Sequence, residues 1–258
     1  MTPAARLQAA IDVLETIFGG APADRSLAQW GRAHRFAGSK DRAAIGDTVY
    51  TGLRRRRSLG WRFRHSDTAE ARAVVLGGLL AEGGDPAALF DGQRHGPAPL
   101  TPLERRALAA PADPMPDPVR LDYPDWLDEA LRESLGAEFE ASMQALQQRA
   151  PVDLRVNTLK ADREQARGRL AEDGIIAEPL DLVDTALRAP PGSPVAQSAA
   201  YREGLVELQD AASQAAAAMA AAAPGETVLD FCAGGGGKTL ALAAQMGGIG
   251  RLIAHDAA

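Results

Sequence analysis

Four consecutive glycines, Gly234 to Gly237, stand between a short apolar run and an Ala/Leu-rich stretch, and no other feature restricts the fold as much. Thr227 to Phe231 has the length and β-branched content of a strand, and Leu240 to Met246 carries apolar residues at helical spacing. The spacing predicts strand, tight turn, helix. Without a Cβ, glycine can take positive φ and lie against a ligand, while the unpaired N–H groups of the helix start face whatever sits above the strand end. The turn therefore suits a nucleotide-like ligand.

Spacing narrows the ligand. A phosphate loop needs a glycine separated by four residues from its Gly-Lys-Thr, and that position is Cys232. The dinucleotide fingerprint fails too, since Thr239 stands where Gly or Ala belongs, which disfavours a nucleotide-binding oxidoreductase. Further on, Gly250 to Asp256 reads as a second strand ending in a carboxylate, 20 residues beyond Gly236. A βαβ nucleotide site places the acid that takes the ribose hydroxyls at about that distance. Asp256 is the expected ribose ligand.

The decade Asp230 to Thr239, Asp-Phe-Cys-Ala-Gly-Gly-Gly-Gly-Lys-Thr, resembles the S-adenosyl-L-methionine motif of the RsmB/Sun/NOP-type RNA (cytosine-5) methyltransferases. That motif usually reads Asp-x-Cys-Ala-Ala-Pro-Gly-Gly-Lys-Thr, so Gly234-Gly235 replaces its Ala-Pro pair. Pro124 to Leu127, Leu154 to Lys160, and Gly204 to Gln214 with Gln209-Asp210 and Ser213-Gln214 resemble upstream segments of the same family, in the same order. The resemblance implies an α/β protein. It comprises an all-helical NusB-like RNA-binding domain over 1–110, a Pro-rich linker over 111–123, a helical linker and small α+β RNA-binding subdomain over 124–200, and the start of a Rossmann-like class I methyltransferase core over 201–258.

Charge agrees with an RNA partner once it is divided along the chain. The net charge is −6, yet residues 1–65 hold twelve Arg/Lys against five Asp/Glu, and the remainder holds sixteen against twenty-nine. A basic front end on an acidic body is the asymmetry expected when one region meets phosphate. Apolar residues at three- and four-residue spacing (Leu7, Ile11, Leu14, Phe18) predict a first helix ended by Gly19-Gly20; Leu27, Trp30 and His34 continue the pattern in a second. Ser39 is the expected N-cap of a third, which ends at Arg54-Arg55-Arg56-Arg57 and is followed by Trp61, Arg62, Phe63 and Arg64. These arginines, interleaved with aromatic residues, are expected to contact RNA phosphate, against the alternative of a solvated helix terminus.

Residues 67–82 read as another helix, and Thr101-Pro102-Leu103-Glu104 as a capping box. Pro111, Pro114, Pro116 and Pro118 mark the expected domain boundary. Val152 to Thr158 alternates as a strand, Arg163 to Ala171 reads as a helix and Ile175 to Leu180 as a returning strand. In this block, which resembles the family's small RNA-binding subdomain, Arg155 and Asn157 either face RNA or lie on an inert solvent face. The Ala-rich stretch from Gln209 to Ala223 reads as a helix, with Gln209-Asp210 placed by the resemblance near cofactor and target base or acting merely as its cap.

By resemblance the cofactor is S-adenosyl-L-methionine, contacted by Cys232, Ala233, Gly234, Gly235, Gly236, Gly237 and Lys238, with Asp256 at the ribose. Lys238 also has a bland reading as a solvated side chain. The family's reaction uses a cysteine thiolate that adds to cytosine C6 and a second, assisting cysteine, both downstream of the motif. Cys232 is the single cysteine here and belongs to the cofactor turn, so no catalytic residue is expected within these residues. The expectation is the N-terminal part of a longer enzyme, or a truncated product, inactive alone. The alternative is a non-catalytic RNA-binding protein with a vestigial methyltransferase core. A cytoplasmic monomer acting on RNA, ribosomal RNA by resemblance, with no metal and no membrane association, completes the reading.

Overall fold

The computed structural model describes residues 1–257; Ala258, the last residue of the expected 201–258 segment, lies outside the described residues. The chain forms two compact units, Met1–Arg149 and Ala150–Ala258.

The first unit is helical: α1 (Pro3–Phe18), α2 (Ala23–Ala33), α3 (Ser39–Arg54), α4 (Arg56–Gly60), α5 (Glu70–Ala81), α6 (Pro86–Leu89), α7 (Pro102–Ala109), α8 (Asp117–Arg120), α9 (Asp128–Leu135) and α10 (Phe139–Leu146). The apolar stripe of α1, with Ile11 and Leu14, packs against Ile45 and Val49 of α3 and Val74 and Leu76 of α5. Complete burial of such side chains contributes roughly 1.5–3 kcal/mol each. Gly77 lets α5 approach α4, because a Cβ there would lie 1.9 Å from the Leu59 carbonyl oxygen. The capping box at Thr101 and Glu104 is present in full. Ser39 is not the N-cap of α3: that position is Gly38, with no side-chain cap.

The Pro-rich segment differs from the expected linker. Residues 111–116 have no regular structure, but Asp117 starts α8 with Pro118 in its first turn, where the missing N–H costs nothing. The boundary between the two units falls at Arg149, so 111–149 pack with the first.

The second unit opens with an antiparallel four-stranded sheet of order β2-β3-β1-β4, made of β1 (Val152–Val156), β2 (Glu178–Pro179), β3 (Ala186–Ala189) and β4 (Val206–Leu208). Helices α11 (Arg163–Glu172) and α12 (Ala199–Arg202) belong to the same body, whose core joins Leu154, Val156, Leu170, Leu187 and Val206. After α13 (Ala211–Met219) come β5 (Thr227–Asp230), α14 (Gly237–Gln245) and β6 (Arg251–Ala254). β5 and β6 pair in parallel, with Val228 opposite Leu252. Both pack with Leu242 and Met246 of α14, whereas Leu229 and Ile253 are exposed. No helix is long and apolar enough to cross a membrane among the described residues.

Candidate cofactor turn and its supports

The glycine turn runs from the end of β5 into the first turn of α14. Gly234 and Gly236 take positive φ, 53° and 85°, a region where a side chain costs roughly a kcal/mol or more. Gly236 is itself the helix N-cap and supplies no side chain to it, so the N–H groups at the start of α14 have no side-chain acceptor. A Cβ built on Gly234, Gly235 or Gly236 meets nothing within 4 Å. The space above the turn is open rather than filled by the protein's own side chains.

The ends of the two strands are locked to this turn. The N–H of Ala233 donates to the His255 carbonyl and that of His255 to the Asp230 carbonyl. The Thr239 hydroxyl donates to the Asp230 carboxylate at 2.6 Å, which fixes α14 on β5. Asp256 faces the turn, and its carboxylate accepts the N–H of Gly234 at 2.7 Å. Phe231 and His255 stack at 5.0 Å beside the strand ends, a pair that the sequence pattern gave no reason to single out. Cys232 and Lys238 are exposed at the turn. Acceptor-hungry N–H groups, a carboxylate and open Cβ space suit a ligand with an anionic end and hydroxyls.

Gln209 lies beside the turn, its Nε2 3.5 Å from where a Gly237 Cβ would stand. It is held in turn by Arg155, whose Nε donates to Gln209 Oε1 at 2.7 Å, and its carbonyl accepts from Gln214 Nε2 at 2.9 Å. Thr185 completes the chain by donating to Gln214 Oε1. Asp210 does what its alternative reading said: it caps α13 through the N–H groups of Ala212 and Ser213. Next to them, Asp153 accepts two hydrogen bonds from Arg188 and one from the Ala211 N–H. The hydrogen bonds from Arg188 hold its carboxyl below the usual carboxylate range, against the opposing effect of burial.

Arg155 is therefore not an RNA-facing residue. It is 3% exposed and also bonds Glu207 through Nη2. β1 is covered on both faces, so alternation along it does not lead to solvent. Asn157 is likewise engaged, donating to the Gly204 carbonyl and accepting from the Leu159 N–H.

The arginine run is engaged within the helical unit. Arg56 makes two 2.6 Å hydrogen bonds to Glu70 and lies 3.9 Å over the Phe18 ring. Arg57 bonds both Asp125 oxygens and the Pro118 and Tyr123 carbonyls. Arg54 donates to Thr51, and Arg55 Nε is buried without a partner. Arg56 and Arg57 staple the helical unit together, a role set by partners distant in sequence. No group of acidic, histidine or cysteine side chains capable of holding a metal occurs among the described residues.

Comparison with known proteins adds to this geometry. A family model described as the methyltransferase RsmF/B-like, ferredoxin-like domain matches residues 123–196. Ribosomal RNA small subunit methyltransferase B of Citrobacter koseri is 34% identical over 140 residues, covering 54% of this chain and 33% of the relative. The protein of the same name from Pseudomonas putida is 33% identical over 170 residues, covering 66% of this chain and 37% of the relative. The chain thus spans about a third of the length of these curated relatives. Among solved structures, that of PH0851 is similar in fold with a TM-score of 0.70 at 23% identity, covering 98% of this chain and 63% of that one.

Proposed function

We propose that the chain is a member of the RsmB/Sun family, which its relatives and its ferredoxin-like segment support, and that it serves the S-adenosyl-L-methionine-dependent methylation of cytosine C5 in ribosomal RNA. The open glycine turn with the Asp256 carboxylate on it carries this reading. The donor, when bound, supplies the methyl group. The N–H groups at the start of α14, with Lys238, take its carboxylate end, because a helix N-terminus favours negative charge. Asp256, whose carboxylate faces the turn and accepts the Gly234 N–H, takes the ribose hydroxyls. Cys232 and Ala233 line the cofactor through the bend itself, with Gln209 beside the entry to α14.

On the nucleic-acid side, residues 1–110 act as the NusB-like RNA-binding domain and 124–200 as a helical linker and the small α+β RNA-binding subdomain, ahead of a Rossmann-like core starting near 201. In the covalent route of the family, a thiolate adds to cytosine C6, C5 then accepts the methyl group, and loss of the C5 proton expels the thiolate. That thiolate comes from downstream of the motif, and Cys232 stays with the cofactor. The protein works as a cytoplasmic monomer without a metal.

Isothermal calorimetry of residues 1–258 with S-adenosylhomocysteine tests the reading. Measurable binding, lost on adding bulk at the turn, is expected. RNA binding without any cofactor binding would instead favour a non-catalytic RNA-binding protein.

A further inference from the structure

Arg56 and Arg57 are engaged by Glu70 and Asp125, yet the helical unit has other cations that are not paired. Arg32, Arg35, Lys40 and Arg94 are exposed, and none takes part in an ion pair or side-chain hydrogen bond among the described residues. Three of them follow or interrupt the aromatic sequence Trp30, His34, Phe36, and Arg94 lines the same pocket as those three rings. The pocket has a volume of about 670 Å³, within the range of roughly 300–1,000 Å³ typical of sites for compact organic ligands.

The rings are already arranged as a platform. Trp30 and His34 stack in parallel at 4.4 Å between centroids, and Phe36 stands edge-on to His34 at 5.8 Å. His34 Nδ1 lies 2.9 Å from the Trp30 carbonyl, which only accepts, so Nδ1 carries a proton and the ring is held in one orientation. Phe36 is 74% exposed, which leaves its ring accessible beside His34. His95 also lines the pocket. Asp12 also lines the pocket, with its carboxylate bonded to Gln8 Nε2 at 2.6 Å.

We propose that this pocket, walled by Trp30, His34, Phe36, Arg94 and His95, binds an unpaired nucleotide of single-stranded RNA, with the base stacked on Phe36 and its neighbours and the flanking phosphates on Arg94, Arg35 and Lys40. Aromatic faces beside unpaired guanidinium groups are the chemistry that recognises unstacked bases along a backbone. An acidic protein segment would use the cations and leave the ring stack idle, so RNA is the occupant that both halves of the pocket favour. The inference rests on the reading of the protein as RNA-directed, and it relocates the main RNA contact from Arg54–Arg57 to the α2–α3 corner.

Fluorescence anisotropy with a labelled, unstructured twelve-nucleotide pyrimidine RNA tests it on the whole chain, comparing the parent with Phe36→Ala, Arg94→Gln and, as a control, Arg56→Gln. Phe36→Ala is expected to weaken binding at least fivefold, in keeping with about 1–3 kcal/mol for each stacked base. Arg94→Gln should flatten the slope of log affinity against log salt by about 0.7, one phosphate contact on a single strand. Arg56→Gln should stay within about twofold of the parent, since that side chain is occupied by Glu70. RNA binding that is equal in the parent, Phe36→Ala and Arg94→Gln overturns the pocket alone. Absence of RNA binding in the parent overturns it together with the RNA-directed reading. Binding of an oligoglutamate peptide as tight as that of RNA also overturns the pocket.

Discussion

The Asp256 carboxylate accepts a 2.7 Å hydrogen bond from the Gly234 N–H, so the residue after β6 is tied to the bend after β5. The two residues are 22 apart in sequence, and their contact closes the floor of the open space above Gly234 to Gly236. One side chain thus ties the bend to the end of β6.

Removing that carboxylate should therefore be felt by the ligand. Asp256→Ala is expected to weaken S-adenosylhomocysteine binding at least tenfold, the scale of about 1.5–3 kcal/mol for hydrogen bonds to a charged group. Asp256→Asn should recover part of the loss, because its amide oxygen still accepts the Gly234 N–H. Calorimetry reads both, and RNA affinity measured on the same samples should hold within twofold; equal loss of both activities would indicate misfolding.

The glycines separate backbone need from ligand space. Gly236 has φ of 85°, so Gly236→Val combines backbone strain with added bulk. Gly235 lies outside the positive-φ positions and its Cβ would meet nothing within 4 Å. Gly235→Val should leave the thermal midpoint within about 2 °C, as surface changes generally shift stability by less than about 0.5 kcal/mol. It should nonetheless abolish S-adenosylhomocysteine binding. Unimpaired binding by Gly235→Val would show that the space is not where the ligand lies.

Arg155 gives the opposite pattern. Arg155→Ala leaves Glu207 and Gln209 without their partner, and loss of one member of a buried charge pair costs about 3–5 kcal/mol. Glu207 is 27% exposed on its side chain, so the cost should fall nearer 2 kcal/mol, by the weaker coupling of solvated charges. Urea denaturation measures it. RNA affinity of the folded fraction should be unchanged, which a direct RNA contact at Arg155 would contradict.

These residues also mark what the sequence could convey. The bend and its strand–turn–helix setting were legible because consecutive glycines act locally, and the spacing from Gly236 to Asp256 put the carboxylate at the correct strand end. The roles of Arg155 and of Arg56 and Arg57 were not. Alternation along β1 distinguishes two faces but not a second cover, and here α13 lies over the face that Leu154 and Val156 do not use. The arginines find Glu70 and Asp125 at separations of 14 and 68 residues, which no local pattern records. β3 and β4, at four and three residues, are too short for periodicity to separate from loop.

Acid should act on the helical unit through Glu104. This side chain is fully buried and accepts from Arg72 at 2.7 and 3.0 Å, from Thr68, and from the Thr101 N–H of its own capping box. Burial alone would raise the carboxyl, but the hydrogen bonds from Arg72, Thr101 and Thr68 outweigh it and hold the group below its ordinary value. A carboxyl lowered on folding contributes stability that is complete above the unfolded value, about 4.5, and is lost as the pH falls through the lower folded value. Glu104→Gln places an amide against the Arg72 guanidinium and leaves it buried with fewer acceptors, at a cost of about 3 kcal/mol at pH 7. In the parent, urea midpoints followed from pH 6 to pH 3 should fall below about pH 4.5. The difference between the parent and Glu104→Gln should shrink over the same interval, and a constant difference down to pH 3 would show that the charge of Glu104 does not stabilise the fold.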